Sequence, residues 1–138
     1  MKVFFDTNVY VAEALSGDAA QRMLAATVKA AWRISISPYV LDEIEQVMSV
    51  QLRFSRRFAF LTRQRAKRRA TLVEPGPSRH QVPGDPGDSP ILQAAIAASV
   101  DILVTNDAVL LGLSPYEGLE ILSMSSYYRL LLDRRLLA

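Results

Sequence analysis

Apolar positions follow two rhythms along this chain. In the first, short runs are apolar or β-branched almost throughout: Lys2–Phe5, Arg33–Ser37, Asp101–Thr105 and Leu119–Leu122. Such runs read as buried strands, and Thr71-Leu72-Val73 is a further candidate. In the second, apolar residues recur every three or four positions, as on one face of a helix. Asn8 to about Leu15 has this pattern, and Ser16-Gly17 breaks it. Asp18 can cap a second helix that runs to about Lys29. Ser37-Pro38 is a helix start, with serine as the cap and proline in the first turn. Val40, Leu41, Ile44, Val47 and Met48 follow at helical spacing, and the pattern predicts a basic helix continuing from Arg53 to Ala70 with Phe54, Phe58 and Leu61. Ser89-Pro90 repeats the start signal ahead of Ile91, Leu92, Ala95 and Ile96, and the tail from Ser125 reads as helix.

Strands that alternate with helices predict an α/β fold. The expectation is a three-layer α/β/α domain over residues 1–138 with a central, mainly parallel sheet. Between Glu74 and Gly87 lie four of the seven prolines and three glycines, so this stretch predicts a loop. It is too short to separate two cores, and no repeat or linker divides the chain.

Composition narrows the function classes. No apolar run reaches the roughly 18 residues of a membrane span, and an aspartate at position 6 interrupts the start too early for a signal peptide. The expectation is therefore a cytoplasmic protein without a membrane partner. The chain has no cysteine, which excludes disulfides, thiolate metal sites and cysteine nucleophiles. The net charge is only +2, but its distribution is uneven: Arg53, Arg56, Arg57, Arg63, Arg65, Lys67, Arg68 and Arg69 fall in one stretch that holds no acid. Such a stretch suits phosphate binding. It equally suits a solvated helix face or the docking of an acidic segment. The only histidine, His80, falls in the Pro/Gly loop and reads as a loop residue.

The acids pose a sharper question. Asp6 ends the apolar run Val3-Phe4-Phe5, and a carboxylate there is costly unless paired or metal-bound. Asp107 follows the strand at Ile102–Val104, after Thr105-Asn106. Open parallel sheets bind ligands beyond the C-terminal ends of their strands, so both carboxylates belong to one edge. Each could be a helix cap only. Asp88 precedes Ser89 and shares the face of Ile91 and Leu92; it too has a capping alternative. Asp85 suits a turn. On the helix from Pro38, Asp42 points away from the apolar stripe, whereas Glu43 and Glu45 flank it on opposite sides. Periodicity does not choose between those two.

With these residues in place, the sequence resembles the PIN-domain family, and within it the VapC-like toxin ribonucleases of bacterial toxin–antitoxin pairs. "VFFDTNVY" is similar to the family's opening strand and Asp-Thr-Asn motif. "SPYVLDEIEQVM" is similar to the helix bearing the acidic glutamate, which selects Glu43. "DPGDSPILQAAIAASVDILVTNDAVLL" is similar to the Asp-rich turn, its helix and the strand ending in Val-Thr-x-Asp, which selects Asp88 and Asp107. Relatives often carry two adjacent acids at the turn; here Gly87 precedes Asp88.

The resemblance implies a metal-dependent endoribonuclease. Asp6, Glu43, Asp88 and Asp107 would be the catalytic and metal-binding acids. Clustered carboxylates repel one another, and a divalent cation removes the conflict. Oxygen-only donors suit Mg²⁺ or Mn²⁺. Asn8, Thr105 and Asn106 would orient water or the carboxylates, with turn and capping roles as the alternative. The implied partners are an RNA substrate, cleaved to leave 5′-phosphate and 3′-hydroxyl ends, and a cognate antitoxin. Val9, Val11 and Leu15, or the C-terminal helix, could serve a homodimer or the core. The rival from another class is a non-catalytic PIN-like module that binds RNA or protein. A phosphatase of the haloacid dehalogenase class also begins with a strand ending in Asp. It needs a second Asp two positions on, where this chain has Asn8.

Overall fold

Val3, Phe4 and Phe5 are buried completely in the computed structural model, which describes residues 1–76 and 89–137. They form strand β1 (Lys2–Phe5). Successive strand residues point to opposite faces of a sheet, so a strand buried at every position needs helices on both sides. β4 (Ile102–Val104) is buried in the same way. With β2 (Arg33–Ile36), β3 (Thr71–Leu72) and β5 (Glu120–Leu122) these strands make one sheet in the order β3-β2-β1-β4-β5. Every pairing is parallel. Phe4 at its centre pairs with Ser35 on one side and Leu103 on the other. The α/β three-layer expectation is met, and the sheet is parallel throughout.

Parallel strands require crossovers, which the helices supply. α1 (Thr7–Ala14) and α2 (Asp18–Lys29) lie between β1 and β2; α3 (Pro38–Gln46) and α4 (Arg56–Arg68) lie between β2 and β3. α5 (Ser89–Ala97) precedes β4, α6 (Ala108–Leu111) follows it, and α7 (Met124–Asp133) follows β5. The chain thus winds outward from β1 to one edge, then returns to place β4 on the other flank of β1. The crevice beyond the C-terminal ends of β1 and β4 is where such sheets hold ligands.

Local differences from the sequence reading have physical causes. α2 is capped by Gly17, without a side-chain bond, and Asp18 lies inside its first turn. Gly17 N–H donates to Ala12 O at 3.0 Å, and a Cβ there would stand 2.8 Å from that oxygen. Only glycine permits this approach. The long basic helix is not continuous. α3 runs into a π-helical turn, Val47–Gln51, and the chain then breaks at Arg53, whose φ is +57°. α4 restarts with Ser55 as cap, its hydroxyl accepting from Phe58 N–H at 3.1 Å. Ser37 caps α3 as the sequence predicts, accepting from Val40 N–H. Val9 and Val11 are core residues, whereas Leu15 is exposed. No helix among the described residues is long and apolar enough to cross a membrane.

Candidate active site

Asp6 is the first residue beyond β1 and caps α1. Its carboxylate is 5 % exposed. Oδ1 accepts from Thr7 N–H at 2.6 Å, and Oδ2 accepts from the Thr105 hydroxyl at 2.6 Å. Thr105 follows β4, so this bond joins the ends of the two neighbouring strands. The same Thr105 oxygen accepts from Asp107 N–H at 3.0 Å. One buried hydroxyl therefore sets Asp6 and the backbone of Asp107 together.

Thr7 makes the second link. Its hydroxyl donates to Glu43 Oε1, while Tyr39, one turn earlier on α3, donates to Glu43 Oε2 at 3.0 Å. Glu43 is thereby turned toward the end of β1. Asp42 and Glu45 turn elsewhere, both to Arg63 at 2.9 and 3.1 Å. Asp107 caps α6, with Oδ1 accepting from Val109 and Leu110 N–H. Its other oxygen carries no described bond. The capping alternative is thus realised at both Asp6 and Asp107, and it leaves each carboxylate with acceptor capacity.

Burial pushes the Asp6 carboxyl above its ordinary 3.8; the bonds from Thr105 and Thr7 N–H oppose this, and repulsion from Glu43 and Asp107 adds to it. Among the described residues no basic side chain pairs with any of these three acids. Negative charge here is concentrated and partly desolvated, and no cation among the described residues meets it. The donors are all oxygen. Among the described residues no three such side chains are close enough together to hold a metal by themselves. Asp88, the fourth expected acid, lies outside the described residues, as do Asp85 and His80. This chemistry fits Mg²⁺ or Mn²⁺, which take few carboxylates and keep several waters.

The other candidates divide. Asn8 is exposed. Asn106 turns its Oδ1 to Met124 N–H at 3.0 Å, at the start of α7. Of the basic residues, Arg69 grips Glu13 on α1 with two bonds of 2.6 and 2.7 Å, Arg65 adds a 3.4 Å contact to Glu13, and Arg63 is held by Asp42 and Glu45. Arg53, Arg56, Arg57, Lys67 and Arg68 are exposed. Thr7 and Tyr39 escaped the sequence reading. Thr7 stands inside the Asp-Thr-Asn motif, and Tyr39 stands four residues before Glu43, a helical neighbour; those were the available signals.

The fold has a solved counterpart. A chain in the crystal structure of VapBC2 from Rickettsia felis, bound to a DNA fragment from its promoter, superposes with a TM-score of 0.66 at 19 % identity. The match covers 89 % of this chain and 98 % of that one. The comparison with curated proteins found no match. A family model described as PIN domain matches residues 2–108. That span contains β1 and its terminal aspartate, Glu43 on α3, and Asp107 after β4; the chain belongs to the PIN-domain family.

Proposed function

We propose that this protein is a VapC-type toxin: a Mg²⁺- or Mn²⁺-dependent endoribonuclease restrained by a cognate antitoxin. The observation that carries the reading is the junction at the ends of β1 and β4, where Thr105 and Thr7 tie Asp6 to Asp107 and to Glu43. In this reading Asp6, Glu43 and Asp107, joined by Asp88 as the family resemblance implies, hold the metal. A bound divalent ion would lower the pKa of a coordinated water and stabilise charge on the phosphate oxygens. Each residue's part follows from its bonds. Thr105 and Thr7 N–H fix the Asp6 carboxylate without consuming all its lone pairs. Thr7 and Tyr39 fix Glu43, whose carboxylate can take a proton from water. Asp107 keeps one oxygen without a described bond, and that oxygen could reach a metal. Water adds to phosphorus as the P–O3′ bond breaks, and the proton passes to the departing 3′ oxygen. The family resemblance supports RNA as the substrate, with 5′-phosphate products.

An antitoxin suits the surface of the π-helical turn and α4. Val50, Leu52, Phe54, Phe58 and Leu61 are exposed there, beside Arg53, Arg56 and Arg57. An apolar face with a basic rim favours an acidic amphipathic segment. The complex would be a toxin–antitoxin hetero-oligomer, with or without a toxin homodimer.

The test is cleavage of single-stranded RNA with Mn²⁺ by wild type and Asp6→Asn. Cleavage that Asp6→Asn reduces by at least about 100-fold supports the reading. RNA binding by the wild type with no metal-dependent cleavage assigns the chain instead to a non-catalytic binding module.

A further inference from the structure

A cavity lies beside Asn106, the residue before Asp107. It lies between α2 and α7, has a volume of about 420 Å³, and is lined by Ala19, Met23, Asn106, Met124, Ser125 and Tyr128. None of these side chains is charged. Asn106 stands between Thr105 and Asp107, so one wall of the cavity is the chain neighbour of Asp107. We propose that this cavity receives a nucleobase of single-stranded RNA, next to the phosphate held at the acidic edge. The inference rests on the nuclease reading above and adds a base-binding site to it.

The lining chemistry carries the choice of ligand. The lining itself offers a phosphate no charged side chain. A base offers two apolar faces and a polar rim, and the cavity offers both counterparts. Met23 and Met124 give polarisable apolar walls. Tyr128 gives an aromatic plane, with the Arg22 guanidinium 5.7 Å from its ring centre. Asn106 gives the polar contact, and its polarity is determined. A backbone N–H can donate only to the amide oxygen, and Met124 N–H takes that oxygen. What Asn106 retains for a ligand is its pair of N–H donors. The site therefore favours a base whose edge presents acceptors. Aromatic stacking with an amide reading the edge is how unpaired RNA bases are recognised. A polypeptide side chain could fill the same apolar volume, and the experiment below separates the two occupants.

The experiment separates this inference from the reading it rests on. Asp6→Asn protein, expected to hold RNA without cutting it, is titrated with single-stranded oligoribonucleotides carrying 2-aminopurine, whose fluorescence falls on stacking. Quenching is expected, and Tyr128→Leu in the same background should remove it and weaken binding by about tenfold. Tyr128→Phe, which keeps the ring, should restore both. Ala19→Trp, an exposed helix position at the cavity wall, should also block quenching, and it serves if Tyr128→Leu does not fold. Quenching that survives both Tyr128→Leu and Ala19→Trp overturns the proposal. So does loss of antitoxin co-purification by these variants with oligonucleotide binding unchanged, which would assign the cavity to a polypeptide. Metal-dependent cleavage by wild type is scored separately: its absence sinks the nuclease reading, whereas cleavage with no effect at Tyr128 or Ala19 sinks only the base site.

Discussion

Asp6 works against the fold that presents it. Its carboxyl is buried, and burial, more than the neighbouring Glu43 and Asp107, raises its pKa above the ordinary 3.8. A group whose folded pKa is raised contributes stability that is complete below the unfolded pKa and is lost as pH rises through the folded value. The metal-free protein therefore carries a penalty at neutral pH that Asp6→Asn should remove. With chelator present, urea unfolding at pH 7 should show Asp6→Asn more stable than wild type by about 1 kcal/mol, and the difference should vanish as pH falls below about 4. A variant less stable at neutral pH would contradict this account. Asp6 was legible in the sequence because an acid ending an apolar strand violates the rule that buried charge is paired. Thr7 and Thr105 were harder to assign. Their bonds reach 36 and 99 residues away, and no local pattern encodes such partners.

At the scale of elements, α1 and α4 are joined by an ion pair. Glu13 is 5 % exposed and receives both terminal nitrogens of Arg69. Breaking a buried pair leaves an uncompensated charge and costs several kcal/mol. Arg69→Met should destabilise the protein by about 3 kcal/mol in denaturant unfolding, and Glu13→Leu combined with it should recover most of the loss. Arg65→Met, at a far more exposed position, should change stability by less than about 1 kcal/mol. This division within one basic stretch was invisible in sequence. Helical spacing picked out Phe54, Phe58 and Leu61, which are exposed, whereas Ala59, Thr62 and Ala66 face the core; which arginines turn inward depends on Glu13, supplied by another helix. The interruption at Arg53 was hidden for a related reason. The sequence there carries no glycine or proline, and the break follows from a π-helical turn ahead of a serine cap. The strands and the Ser37 cap of α3 are local features and were read correctly, whereas the Ser55 cap of α4 was passed over within an expected continuous helix.

Across the whole molecule, charge is arranged by surface. Arg56 and Arg57 occupy the first turn of α4, where the helix dipole disfavours cations. Lys67 and Arg68 lie in its last turn, where it favours them. If these four side chains meet RNA phosphates, replacing them all with Gln should weaken binding and lower the slope of log K against log salt by up to about 3. An unchanged slope would assign the surface to another partner. The sheet order has a temporal meaning as well. Asp6 is positioned by Thr105, which leaves the ribosome 99 residues later. At about 5–20 residues per second that interval is about 5–20 s. Throughout it the first strand has no β4 beside it, and the carboxylate has no hydroxyl to orient it. Until β4 has been made, a nascent chain therefore lacks the junction that brings Asp6 and Asp107 together.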